Sequence, residues 1–163
     1  MAEVHGSGAK PAGGSEKIAM EMKGRDILSI QDLTADEIRE VFRTAIELKG
    51  KSLGEQKEHP VLPGMTLAMI FEKPSLRTRV TFETGMVQLG GYAVYLQPSD
   101  IRMGERESVK DVAQNLERWV QCIMARVFSH QTVVDLARHS RVPVINGLSD
   151  REHPCQALAD FLT

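Results

Sequence analysis

The sequence predicts an α/β fold: a mainly parallel four-stranded sheet with helices on both faces, in three layers. Two observations carry that expectation. Short apolar runs alternate with stretches of helical period, and the first run, 65–71 (MTLAMIF), is apolar almost throughout. A strand that reads this way is buried on both faces, as in parallel sheets covered by crossover helices. A length of 163 residues, 42% of them hydrophobic, suits one compact domain with a proper core.

The elements follow in order. Thr34 with Glu37 forms a capping box, and Ile38, Val41, Phe42, Ala45, Ile46 and Leu48 recur at helical spacing until Gly50 supplies a stop. Residues 51–64, with two glycines, two prolines and several charges, read as a loop. After the first strand, 72–75 is a turn containing Pro74, and a helix over 77–89 is closed by Gly90-Gly91. A second strand is expected at 92–97 and a long charged loop at 98–107. Ser108 with Asp111 opens a helix through Val112, Leu116 and Val120. A strand at 122–128, a short helix at 132–140, a strand at 142–148 and a helix from Pro154 to Leu162 complete the alternation.

Composition removes several function classes. The net charge of -2 provides no global basic field for nucleic acid, so a bound anion must be held by a local cluster of donors. Cys122 and Cys155 are far apart without metal-ligand spacing, which argues against a disulfide scaffold or a zinc site and is compatible with a reducing compartment. No apolar run approaches the roughly 20 residues of a membrane span. Residues 1–17 are expected to be a disordered tail without signal-peptide or presequence character, and 18–163 the single domain. The cytoplasm is the default location. The chain stops at Thr163 without a capping glycine, so a longer parent protein is expected.

Ligands of open parallel sheets bind beyond the carboxyl ends of the strands, where helix N-termini present free N–H groups. After the first strand, Ser75 can cap the helix, and Ser75, Arg77 and Thr78 make a donor-only cradle for a phosphate dianion. Alone, this reads more readily as an ordinary capped helix with solvated arginines, because Ser-x-x-Thr near Arg is common. Arg126 is a lone guanidinium in an apolar strand, either paired with a buried carboxylate or aimed into the same anion site. Pro154 suits a first helical turn, placing His153 at the helix entrance and Gln156 one turn in. The imidazole can donate to a carbonyl oxygen, and the Gln156 amide oxygen can accept from an NH2 group. Alternatively, His153 is only a cap. A metal set of Asp150, His153 and Cys155 is a weak reading, because neighbouring mixed ligands rarely converge. His130 and His139 read as solvated. Three such elements at three strand ends describe a site for a small, phosphorylated, amide-bearing molecule.

The segment from Ser75 to Glu83 (SLRTRVTFE) resembles the S-T-R-T-R-x-S-F-E signature of the aspartate/ornithine carbamoyltransferase family. His153 to Asp160 (HPCQALAD) resembles that family's H-P-x-Q-x-L-A-D segment, and the similarity covers the chain from about Lys23 onward. The resemblance implies a two-domain enzyme whose N-terminal domain binds carbamoyl phosphate and whose C-terminal domain binds the amine. It also implies trimers with shared active sites, no cofactor and no metal. Carried over by motif, Ser75, Leu76, Arg77 and Thr78 line the phosphate, and Arg126 spans phosphate and carbonyl. His153 polarises the carbonyl, Pro154 and Cys155 flank it, and Gln156 orients the carbamoyl NH2. Thr78, Arg126 and His153 then stabilise the oxyanion.

Two positions depart from the pattern. Leu76 stands where the motif has Thr, which costs one hydrogen bond only if that position serves through its hydroxyl. Arg102 occupies a loop that in relatives reaches a neighbour's site, where ornithine enzymes often carry Gln or His. The Cys155 variant and this loop favour the ornithine branch over the aspartate one. A non-catalytic binding module is the alternative of a different class. The segments that bind L-ornithine in this family lie beyond residue 163, so this chain alone is expected to bind carbamoyl phosphate but not to turn over.

Overall fold

A computed structural model of the chain describes residues 13–52, 60–101, 103–104 and 106–163. Its sheet contains β1 (Thr66–Phe71), β2 (Tyr92–Leu96), β3 (Cys122–Arg126) and β4 (Val144–Leu148) in the order β2-β1-β3-β4, every pair parallel. From β1 the chain moves outward to β2, then returns to β3 on the other side. The strand order therefore reverses between β1 and β3, and a crevice is expected outside their carboxyl ends.

The two faces of β1 explain its unbroken apolar run. Ala68 and Ile70 join Ile123, Ala125 and Val127 under α5 (Val109–Leu116) and α6 (His130–His139), with Val112, Ala113, Val133 and Leu136 completing that core. Leu67, Met69 and Phe71 turn the other way with Met124, beneath Phe82 and Met86 of α3 (Leu76–Gln88). Helices thus cover both faces, giving the expected three layers.

The N-terminal segment is tied to the open edge of β4. Asp26 Oδ1 accepts from the Val144 N–H at 2.8 Å, and Ile27 bridges Ile145 in parallel. Burial raises the Asp26 carboxyl above its ordinary value, against the lowering effect of that N–H. The Thr34–Glu37 capping box opens α2 (Ala35–Ser52): Glu37 N–H donates to Thr34 Oγ1 at 3.3 Å, and Thr34 N–H to Glu37 Oε2 at 2.7 Å. Arg25 pairs with the same carboxylate.

Several boundaries differ from the sequence expectation. Gly50 does not end α2, which continues to Ser52, and 53–59 lie outside the described residues. The expected tail over 1–17 overlaps α1 (Gly13–Met22), while 1–12 lie outside the described residues. The 98–107 loop begins with one helical turn, α4 (Pro98–Ile101), because Asp100 Oδ2 reaches back to the Gln97 N–H at 3.0 Å. α5 stops at Leu116, short of Val120, which is nevertheless buried. β3 ends at Arg126 rather than 128, since the Phe128 N–H turns to the Glu72 carboxylate at 2.6 Å.

One irregularity shapes the site. Ala125 pairs with Asn146, but Arg126 pairs with Leu148, so Gly147 is an extra residue in β4. Bulges of this kind re-aim side chains and sit next to active sites more often than elsewhere. Gly147 is required by close approach: a Cβ there would overlap the Met124 sulfur and come 3.3 Å from the Ala125 carbonyl oxygen. Met124 is fully buried, so its sulfur would have to shift within the core. Gly147→Ala is expected to destabilise the fold by about 1–3 kcal/mol, the usual cost of overpacking, measurable as a lower urea midpoint at unchanged slope.

Candidate active site

Three segments meet at the carboxyl ends of β1, β3 and β4. The first follows β1, where Ser75 is the N-cap residue of α3. Contrary to the sequence expectation, its side chain makes no capping hydrogen bond. The hydroxyl and the first-turn N–H groups are therefore both open to a ligand. Leu76 holds the first helical position and is 78% exposed, so in this chain it can serve there only through its backbone. The two arginines of the segment have different fates. Arg79 stacks 3.8 Å above the Tyr95 ring and pairs with Glu83 at 3.0 Å. Arg77 is exposed and has no ion pair among the described residues.

Arg126 ends β3, and its Nη1 donates to Thr78 Oγ1 at 3.2 Å. That bond joins the strand end to the first turn of α3. No carboxylate approaches the guanidinium among the described residues, so a buried ion pair does not account for it. Its Nε is sealed from solvent without any hydrogen-bond partner. A donor left in that state costs free energy unless something accepts from it. Burial, with repulsion from Arg77 added, lowers the hold of Arg126 on its proton below the arginine norm. Among the described residues no acid pairs with either arginine.

The third segment follows β4. Pro154 is buried at the start of α7 (Pro154–Leu162), and His153 caps the helix, its Nδ1 accepting the Gln156 N–H at 3.3 Å. That bond assigns the tautomer. With Nδ1 an acceptor, the proton of the neutral ring sits on Nε2, free to donate outward. Burial lowers the His153 pKa below the usual imidazole value, the Arg126 charge lowers it further, and Asp160 opposes both. The Arg126–Thr78 bond joins the first two segments, and the pairing of Arg126 with Leu148 sets the end of β3 beside the strand that leads into the third.

Gln156 is exposed on the next turn, and its Nε2 donates to Asp160 Oδ1 at 2.8 Å. A carboxylate can only accept, so the amide is held with its oxygen on the open side. Cys155 Sγ lies 3.7 Å from the Asn146 carbonyl oxygen. Burial pushes its thiol up to about 11 and that of Cys122 up to about 12, so neither is a thiolate nucleophile at neutral pH. Asp150 accepts the His130 N–H at 2.7 Å instead of turning towards Cys155. Among the described residues no group of three or more His, Cys, Asp or Glu side chains is placed to hold a metal ion. Arg102 lies outside the described residues. His130, expected to be solvated, is half-buried with Nδ1 2.9 Å from Ser149 Oγ.

Residues 25–163 match the family described as aspartate/ornithine carbamoyltransferase, carbamoyl-P binding domain. The chain belongs to that family. It is 54% identical to the ornithine carbamoyltransferase of Deinococcus radiodurans over 142 residues, 87% of this chain and 45% of that protein. With the ornithine carbamoyltransferase of Thermococcus kodakarensis it shares 51% over 147 residues, 90% of this chain and 46% of the other. The solved ornithine carbamoyltransferase of Pyrococcus furiosus superposes with a TM-score of 0.82 at 51% identity, covering 86% of this chain and 45% of that one. The chain thus spans just under half the length of the carbamoyltransferases it matches.

Sequence reasoning did not single out the groups behind the site. Asp160 orients Gln156, and Asn146 lies fully buried under the loop that carries His153. The available signal for Asn146 was a lone amide inside an apolar strand, the same anomaly that drew attention to Arg126.

Proposed function

We propose that this chain binds carbamoyl phosphate, as the phosphate-side half of an enzyme that carbamoylates the δ-amine of L-ornithine to give L-citrulline and phosphate. One observation carries the reading: a half-buried guanidinium with a sealed, partnerless Nε and, among the described residues, no carboxylate partner, beside an open helix N-terminus and a neutral imidazole. A dianion attached to a carbonyl satisfies all three at once. Ser75, Arg77, Thr78 and the N–H groups of α3, including that of Leu76, hold the phosphate. Arg126 reaches both the phosphate and the carbonyl oxygen, His153 Nε2–H donates to the carbonyl, and Gln156 Oε1 accepts from the carbamoyl NH2.

In the full-length protein the neutral amine attacks the carbamoyl carbon, and the new C–N bond gives a tetrahedral oxyanion facing Thr78, Arg126 and His153. The C–O bond to phosphate then breaks and the amine proton is lost. Positioning and charge stabilisation suffice, so the reaction calls for no cofactor and no covalent enzyme intermediate. The names of the relatives support ornithine over aspartate as the amine. The same reading makes the full-length protein a cytoplasmic homotrimer, or a multiple of trimers. No helix among the described residues is long and apolar enough to cross a membrane.

Isothermal titration tests the binding step directly. The 163-residue chain is expected to bind carbamoyl phosphate more tightly than inorganic phosphate. A folded chain that shows no heat with either ligand would remove the proposal.

A further inference from the structure

We infer that Asn146 is a positioning residue, the buried group that sets His153 in place relative to Arg126. The inference rests on the carbamoyl phosphate reading and deepens it. Asn146 is fully buried beside the β4 bulge, pairing with Ala125, the neighbour of Arg126 in β3. Its side chain is engaged at both ends. Oδ1 accepts the Leu148 N–H at 3.0 Å, beyond the extra residue Gly147. Nδ2 donates to the Leu28 carbonyl at 2.9 Å, to Ser149 Oγ at 3.3 Å and to the Glu152 carbonyl at 3.4 Å. The Glu152 carbonyl belongs to the peptide that leads directly into His153.

The rest of the loop is built around the same point. Ser149 N–H donates to the Glu152 carbonyl at 3.1 Å, and Ser149 Oγ accepts the Arg151 N–H at 3.3 Å. Glu152 Oε2 takes the Ile30 N–H at 2.9 Å, fastening the loop to the N-terminal segment. One amide therefore shapes the bulge beside Arg126 with its oxygen and the approach to His153 with its nitrogen. No aliphatic side chain can do both, and an Asp there would set a carboxylate against three oxygen atoms, two of them carbonyls with nothing to donate. A polar network that is fully satisfied in a buried setting fixes one geometry, which is what a carbonyl-directed imidazole needs.

The test compares carbamoyl phosphate with inorganic phosphate on the 163-residue chain, because His153 addresses the carbonyl while the α3 turn addresses phosphate. Asn146→Ala is expected to weaken carbamoyl phosphate about tenfold and inorganic phosphate less than about twofold, the difference being roughly one hydrogen bond. The imidazole of His153, followed by NMR, is expected to titrate closer to the ordinary histidine value as it leaves its buried place beside Arg126. Equal losses for both ligands, or an unmoved His153 titration, would overturn the inference. Should Asn146→Ala fail to fold, Ser149→Ala keeps the amide and loosens the same loop. It is expected to show the same split at smaller size, and an unchanged ratio counts against the idea. A native chain with no preference for carbamoyl phosphate defeats the functional reading instead, and does so before any variant is made.

Discussion

Replacing Arg126 with leucine is expected to abolish carbamoyl phosphate binding while leaving the chain at least as stable as before. The two halves of that expectation have one cause. Arg126 has no carboxylate partner among the described residues, a sealed Nε without an acceptor, and a second cation, Arg77, close enough to disfavour its charge. Such a group is costly in the empty protein and is compensated only when an anion arrives. Leucine removes that cost and gives up one hydrogen bond, to the half-buried Thr78 hydroxyl. Binding, by contrast, loses contacts to both phosphate and carbonyl oxygens. Charge-assisted hydrogen bonds are worth about 1.5–3 kcal/mol each, so the loss of two lowers affinity by roughly a hundredfold or more. Titration calorimetry and urea unfolding on the same preparation read the two halves separately. A variant that unfolds early would mean that the guanidinium serves the fold, and the anion site would lose its centre.

The fold was readable in the sequence where burial dictates a pattern. MTLAMIF is apolar almost throughout because Leu67, Met69 and Phe71 enter one core while Ala68 and Ile70 enter the other. The capping box at Thr34 and Glu37 and the start of α7 at Pro154 were readable because those residue types have few other uses at such spacings. Boundaries were less readable because they depend on partners distant in sequence. Glu72 withdraws Phe128 from β3, and Asp100 curls residues 98–101 into a helical turn. The strand-end groups of the site were visible as residue types, but the functional and ordinary readings of Ser75, Arg126 and His153 separate only in three dimensions. The sequence shows an arginine in an apolar strand; the structure shows that no acid meets it among the described residues. Asn146 and Asp160 stayed hidden because each acts through another side chain or through the backbone, which leaves no spacing signature.

His153→Asn should separate what that residue does for the fold from what it does for the chemistry. Asparagine is a good N-cap, so its amide oxygen can take over the Gln156 N–H now held by Nδ1. It carries no Nε2–H at the distance the imidazole reaches. In the full-length protein kcat is therefore expected to fall by about 10²–10³, the usual cost of removing one oxyanion donor, with a smaller change in KM for carbamoyl phosphate. The pH dependence of stability gives a second reading. The folded-state pKa of His153 is lowered, chiefly by burial and then by Arg126. Between that lowered value and the ordinary imidazole value the unfolded chain binds the extra proton. The contribution of the neutral imidazole is then present above the ordinary value and is lost as pH falls through the lowered one. Protonation would also turn Nδ1 from an acceptor into a donor facing the Gln156 N–H, breaking the cap from within. Asparagine does not titrate, so the variant is expected to lose less stability than the native chain as pH falls through that window. Urea midpoints measured across the window decide the point: parallel acid losses in the two proteins would show that His153 is not held neutral by its surroundings.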